Sequence, residues 1–119
     1  MSLLPAKTVV VPIDFSELSI NALAEAAKLV EEIGGLYAVH ALPPIPYGGP
    51  GILTGMITEQ TRVDNARKAL EEVLDELGVT GAHPVVLSEL AGNAAYAIAQ
   101  YADEIKADLI VLPSHGRTG

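Results

Sequence analysis

The chain has 119 residues, half of them hydrophobic and 4% aromatic, and its formal net charge is −8. This length corresponds to one domain, and the excess of acidic residues disfavours binding to nucleic acid or to an anionic membrane surface. No apolar run reaches the roughly 18 residues of a transmembrane helix, and the N-terminus lacks a signal-peptide pattern. Cysteine is absent and the three histidines are scattered, so we expect a cytoplasmic domain without disulfides or a metal site.

The first part of the chain predicts two strands and two helices. Val9–Ile13 is a nearly continuous apolar run, typical of a strand that is covered on both faces. A helix is predicted to begin after Ser16, which is a suitable N-cap, and to end at Gly34–Gly35. Leu36–Leu42 is the second predicted strand, and after a loop rich in proline and glycine a second helix is predicted over Thr58–Leu77.

The second part of the chain continues the same alternation. A third strand is predicted over Pro84–Leu90, and a third helix is predicted from the N-cap Asn93 to Ile105. The apolar run Asp108–Leu112 is the fourth predicted strand. Alternating strands and helices predict an α/β fold, in which an open, Rossmann-like parallel sheet carries helices on both faces.

Polar and small residues follow the predicted strands, at the sheet edge where such folds bind ligands. Asp14 comes directly after the first strand, and two interpretations stay open for its carboxylate. It either interacts with the N-terminus of the next helix or accepts hydrogen bonds from a ribose hydroxyl or a base amine of a ligand. Ser16 is interpreted as an N-cap, and His40 as a core histidine with one bonded nitrogen.

The last segment, Pro113–Gly119, offers groups that could bind an anion. Gly116 and Gly119 permit close approach of a ligand to the backbone, and successive backbone N–H groups in such a turn attract anions. Arg117 adds a positive charge, which a nucleotide would need because the chain as a whole is acidic. The alternative is an ordinary polar loop after a strand.

Several sequence motifs of nucleotide-binding and hydrolytic enzymes do not occur. The chain has no G-x-G-x-x-G, no G-x-x-x-x-G-K-[ST] and no G-x-S-x-G. Ser114 and His115 are neighbours in sequence, but a catalytic triad also requires an orienting acid and convergence in space. We therefore assign no catalytic residues.

Several segments together resemble the universal stress protein family: Val11–Glu17, Ala38–Ala41, Gly92 at the start of the third helix, and Ala107–Gly119. The resemblance spans nearly the whole chain. It implies an open five-stranded α/β fold similar to that of the adenine-nucleotide α-hydrolases, a homodimer, and a cytoplasmic location. Some members of the family bind ATP, through a motif that looks like G-x2-G-x9-G-[ST] after the fourth strand.

The resemblance also implies a set of nucleotide-binding residues. Asp14 matches the carboxylate that meets the adenosine, Ile13 and Ala41 match contacts to adenine, and Gly116 matches the second glycine of the motif. The complete expected set is Pro12, Ile13, Asp14, Ala41, Leu112, Pro113, Ser114, His115, Gly116 and Arg117.

Two departures from the family pattern affect this expectation. Pro113 stands at the first motif glycine and has no N–H to offer a ligand. The third glycine, the fifth strand and the last helix would all follow Gly119, so residues 1–119 are expected to form a single, C-terminally incomplete domain. Without the fifth strand, the fourth would present an open edge that invites pairing.

Three functional hypotheses follow. The preferred one is a stress-response protein that binds ATP or another adenine nucleotide, with Mg²⁺ accompanying ATP. It would serve as a sensor, with at most slow ATP hydrolysis. The alternative is a nucleotide-free homodimeric interaction module of the same fold, which Pro113 favours. An enzyme of the α-hydrolase-like group is the third, but its Ser-Gly-Gly-x-Asp loop is replaced here by Asp14-Phe-Ser-Glu17.

Overall fold

Four β-strands alternate with three α-helices in the computed structural model, which describes residues 6–43, 59–88 and 93–113. The strands are β1 (Val9–Pro12), β2 (Leu36–Ala41), β3 (His83–Leu87) and β4 (Leu109–Ile110). The helices are α1 (Glu17–Leu29), α2 (Glu59–Glu76) and α3 (Ala94–Glu104), with a short 3-10 turn at Ile33–Gly35. Within the described ranges, none of the helices is long and apolar enough to cross a membrane.

The strands form one parallel sheet in the order β3-β2-β1-β4. From β1 the chain adds β2 and then β3 on one side, and then crosses back to add β4 on the other side of β1. The predicted α/β architecture is therefore confirmed. The strand order reverses between β1 and β4, and this is where open α/β sheets form a crevice beyond the carboxyl ends of their strands.

Helices cover both faces of the sheet, which explains the uninterrupted apolar sequence of β1. Val9, Val10 and Val11 have no exposed surface. Val9 and Val11 belong to a core that includes residues of α1 and α2, such as Leu23 and Leu70. Val10 points the other way and packs in a second cluster with Val39 and with residues of α3. Successive side chains of a strand alternate between faces, so both faces of β1 must be apolar.

The first helix ends earlier than the sequence predicts. Val30 is extended (φ −84°, ψ 141°) and pairs with Ala6 in an isolated parallel bridge. The Ala6 N–H donates to the Leu29 carbonyl (2.9 Å), and the Glu31 N–H donates to the Ala6 carbonyl (2.6 Å). The segment that enters β1 thus engages the backbone at the end of α1, while Gly34 and Gly35 lie in the separate 3-10 turn. Helical periodicity alone cannot reveal this long-range contact.

Candidate functional site

A cleft of about 140 Å³ lies at the carboxyl ends of β1 and β4, and we call it the β1–β4 cleft. It is at the position where the strand order reverses. Its walls are formed by the ends of β1 and β2, by the beginnings of α1 and α3, and by Pro113, which follows β4. The lining residues are Pro12, Ile13, Asp14, Ser19, His40, Ala41, Ala94, Ile98 and Pro113. Most of them are apolar, and Asp14 contributes a carboxylate.

Asp14 is exposed and occupies a tight turn between β1 and α1. Its Oδ1 accepts a hydrogen bond from the Ser16 N–H at 2.9 Å. Hydrogen bonds from the Ser16 side chain and backbone, together with the Ser19 side chain, lower the pKa of Asp14 from 3.8 to about 2. The carboxylate is therefore ionised at neutral pH, with one oxygen engaged by the turn. The two interpretations of Asp14 are compatible, since the residue stabilises the turn and also lines the cleft.

Ser16 is the N-cap of α1, as the sequence predicts. Its Oγ accepts a hydrogen bond from the Ser19 N–H at 3.1 Å, which satisfies one of the free donors of the first helical turn. Asn93 caps α3 in the same way, because its Oδ1 accepts a hydrogen bond from the Tyr96 N–H at 2.7 Å. Each cap fixes the start of a helix whose first turns face the cleft.

His40 contacts the turn that carries Asp14. Its Nδ1 donates to the Ile13 carbonyl at 2.6 Å, since a carbonyl oxygen can only accept. The imidazole also packs against Phe15, with 4.8 Å between the ring centroids. The predicted bonded nitrogen is present, although the side chain is half-buried rather than fully buried.

The structure brings together one group of the residues predicted to bind nucleotide. Those that line the cleft are Pro12, Ile13, Asp14, Ala41 and Pro113. Leu112 is not among the lining residues, and 67% of its surface is exposed. The remaining predicted residues lie outside the described part of the chain: Ser114, His115, Gly116 and Arg117.

Sequence reasoning did not assign Ser19, His40, Ala94 or Ile98 to the site, although all four line the cleft. A signal for the α3 residues was available. A helix that connects two parallel strands runs antiparallel to them, so it begins near their carboxyl ends. The Asn93 N-cap therefore marks a helix start that belongs at this edge of the sheet.

Two larger surface depressions formed by the described residues lie outside the β1–β4 cleft. One, of about 360 Å³, is lined by side chains of α2 and the beginning of β3, including Glu71, Asp75 and Pro84. The other, of about 430 Å³, lies between α3 and β4. We take the smaller β1–β4 cleft as the candidate functional site for two reasons. It lies where the strand order of the sheet reverses, and it is lined by a hydrogen-bonded carboxylate, that of Asp14.

Comparison with known proteins agrees with this architecture. The model of the universal stress protein family matches residues 5–119. Two curated relatives from Coxiella burnetii, universal stress protein A homologs 2 and 1, are 29% and 31% identical to this chain over 117 residues. Each alignment covers 95% of this chain, and they cover 78% and 79% of the respective relatives.

Solved structures share the fold. A universal stress family protein from Burkholderia pseudomallei has a TM-score of 0.62 at 22% identity, over 93% of this chain and 83% of that one. A universal stress protein in complex with cAMP has a TM-score of 0.51 at 25% identity, over 87% and 69% of the two chains. An Arabidopsis thaliana family protein with AMP bound has a TM-score of 0.58 at 15% identity, over 92% and 78%. By its sequence match over residues 5–119 and by its sheet topology, this chain belongs to the universal stress protein family.

Proposed function

We propose that this universal stress protein binds an adenine nucleotide in the β1–β4 cleft and acts as a sensor rather than as an efficient catalyst. The observation that carries the proposal is the ionised carboxylate of Asp14, held by the turn at a mostly apolar cleft where the strand order reverses. Support also comes from the two family members whose structures contain cAMP and AMP.

The cleft offers chemistry suited to an adenosine group. Ala41, Ile98 and Pro113 present apolar surface for a flat base. The Asp14 carboxylate is an acceptor for the hydroxyls of a ribose. In this proposal the loop Ser114–Gly119 contacts the phosphates, and Gly116 matches the second glycine of the family motif.

A triphosphate would face the negative field of a chain with net charge −8. Among the described residues, no three His, Asp or Glu side chains are grouped so as to hold a metal ion. We therefore propose that Mg²⁺ arrives with the phosphates of ATP. The proposal also includes a cytoplasmic homodimer, the assembly that the family resemblance implies.

The test is calorimetric titration of the protein with AMP, cAMP and ATP·Mg²⁺. Asp14→Asn removes the charge but keeps a side-chain oxygen that can accept from the Ser16 N–H, so the turn is preserved. We expect this variant to bind at least about tenfold more weakly, the effect of losing a charge-assisted hydrogen bond. The matched control is Asp75→Asn, which removes the same charge from α2 and should leave affinity unchanged. Absence of binding by the unmodified protein at millimolar AMP, cAMP and ATP·Mg²⁺ would refute the proposal.

Pro113 favours a second candidate, a homodimeric interaction module that binds no nucleotide. This residue lines the cleft a short distance after the end of β4, and as a proline it has no N–H to donate to a ligand. A protein that sediments as a dimer and gives no heat with any of the three nucleotides would support this candidate over the first.

A further inference from the structure

Phe15 adopts a backbone conformation that is uncommon for a large side chain. Its φ is 65°, in the left-handed region, where the Cβ of an L-residue is crowded. Such a residue persists only where the surrounding structure holds it, and strained residues concentrate at functional sites. Phe15 directly follows Asp14, so whatever holds Phe15 also determines where the Asp14 carboxylate is presented.

Ser19 holds this turn from the side of α1. The residue is 1% exposed, and its hydroxyl uses both of its hydrogen-bonding capacities on the turn. The Oγ donates to the Ser16 carbonyl at 3.0 Å and accepts from the Asp14 N–H at 3.3 Å. A hydroxyl is costly to bury unless it is bonded in this way.

His40 holds the same turn from the side of β2. Its Nδ1 donates to the Ile13 carbonyl, and its ring lies 4.8 Å from the Phe15 ring at an angle of 51°. The alternation of β2 places the His40 side chain on the face of Leu36 and Ala38, which belong to the core beneath α1 and α2. The cleft wall formed by α3 is on the opposite face of the sheet.

We infer that Ser19 and His40 are positioning residues, which hold the turn of residues 13–16 so that Asp14 is presented to the ligand. Both side chains bond to backbone atoms of the turn, and they do so from the face opposite α3. Both residues also line the cleft, and their bonds to the turn are the route by which we expect them to affect ligand binding. The inference rests on the proposed function for its effect on affinity, whereas its effect on the turn can be measured without any ligand.

The experiment compares Ser19→Ala and His40→Leu with two further variants. His40→Asn keeps an N–H donor at the position of Nδ1 while losing the ring. The control is His83→Leu. His83 also bonds a backbone carbonyl, that of Gly34 at 3.0 Å, and stacks on an aromatic ring, that of Tyr37 at 4.5 Å, but it lies at the amino end of β3.

Two readouts are taken for each variant, the affinity for AMP by calorimetry and the titration of the Asp14 carboxyl by NMR. We expect Ser19→Ala and His40→Leu to bind AMP about tenfold more weakly. We also expect the pKa of Asp14 to rise from about 2 towards 3.8 in both variants. His40→Asn should recover most of the affinity, and His83→Leu should match the unmodified protein in both readouts.

Unchanged affinity and an unchanged Asp14 titration in folded Ser19→Ala and His40→Leu would overturn the inference. If the unmodified protein binds no AMP, the proposed function fails, and the NMR titration still decides whether these residues hold the turn. If His40→Leu does not fold, His40→Ala takes its place, because alanine also lacks the donor to the Ile13 carbonyl. His40 does not itself bond to the Asp14 carboxylate, so a raised Asp14 pKa in His40→Ala would support the inference, and a pKa near 2 would overturn it.

Discussion

Replacing Gly35 by alanine should disrupt the contact between the 3-10 turn and the segment that enters β1. An ideal Cβ on Gly35 would lie 1.8 Å from the Lys7 carbonyl oxygen and 3.3 Å from Cγ2 of Val30. The Lys7 segment cannot move away freely, because the N–H groups of Lys7 and Thr8 both donate to the Asp108 carboxylate, at 3.0 and 2.9 Å. The clash therefore falls on backbone that is hydrogen-bonded at the amino ends of β1 and β4.

The loss of stability in Gly35→Ala follows from the 1.8 Å distance between the added Cβ and the Lys7 carbonyl oxygen. Carbon and oxygen atoms in close contact are separated by about 3.3 Å, so the turn and the Lys7 segment must part by about 1.5 Å. Overpacking of this kind costs about 1–3 kcal/mol. The lower chain entropy of alanine in the unfolded state returns about 0.4–1 kcal/mol. We expect Gly35→Ala to lower the free energy of unfolding by about 1–2 kcal/mol.

Urea denaturation followed by circular dichroism measures this change, and the neighbouring glycine supplies the control. A Cβ on Gly34 would meet no atom within 4 Å, so Gly34→Ala should leave stability unchanged or raise it slightly. If the two variants unfold with free energies within about 0.5 kcal/mol of each other, the packing argument is wrong, because surface substitutions commonly differ by that much.

Three further predictions concern stability. The pKa of the Asp14 carboxyl falls from 3.8 in the unfolded chain to about 2 in the folded protein. Between pH 4 and pH 2, roughly, the unfolded chain therefore binds more protons than the folded protein. Stability should therefore fall as the pH drops from about 4 to 2, and Asp14→Asn should reduce that fall in acid denaturation curves. Asn93→Ala removes the N-cap of α3 and leaves the Tyr96 N–H without its acceptor, so it should lower the free energy of unfolding in urea by about 1 kcal/mol. A decrease below about 0.5 kcal/mol, which is usual for a surface substitution, would contradict this prediction. Leu70→Ala, at a residue with no exposed surface, should cost about 2–5 kcal/mol, whereas Leu18→Ala, at a residue 38% exposed, should cost much less; equal losses would contradict the core assignment.

The amino-acid sequence by itself determined the order of the elements and the type of sheet. The apolar run of β1 requires cover on both faces, and the strand–helix alternation requires parallel connections. Ser16 and Asn93 were identified as N-caps because a capping bond joins residues only three positions apart. These features depend on interactions between residues close in sequence and on the periodicity of apolar residues, and both can be seen in a single sequence.

Only the tertiary structure decided how the turn after β1 is held and what shares the cleft with Asp14. The bond from His40 to Ile13 joins residues 27 positions apart, and the contact of α3 with the cleft depends on the crossing of the chain from β3 to β4. The early end of α1 likewise depends on pairing between Ala6 and Val30. Each of these contacts depends on the strand order and register that the folded chain adopts, and helical or strand periodicity carries no information about either.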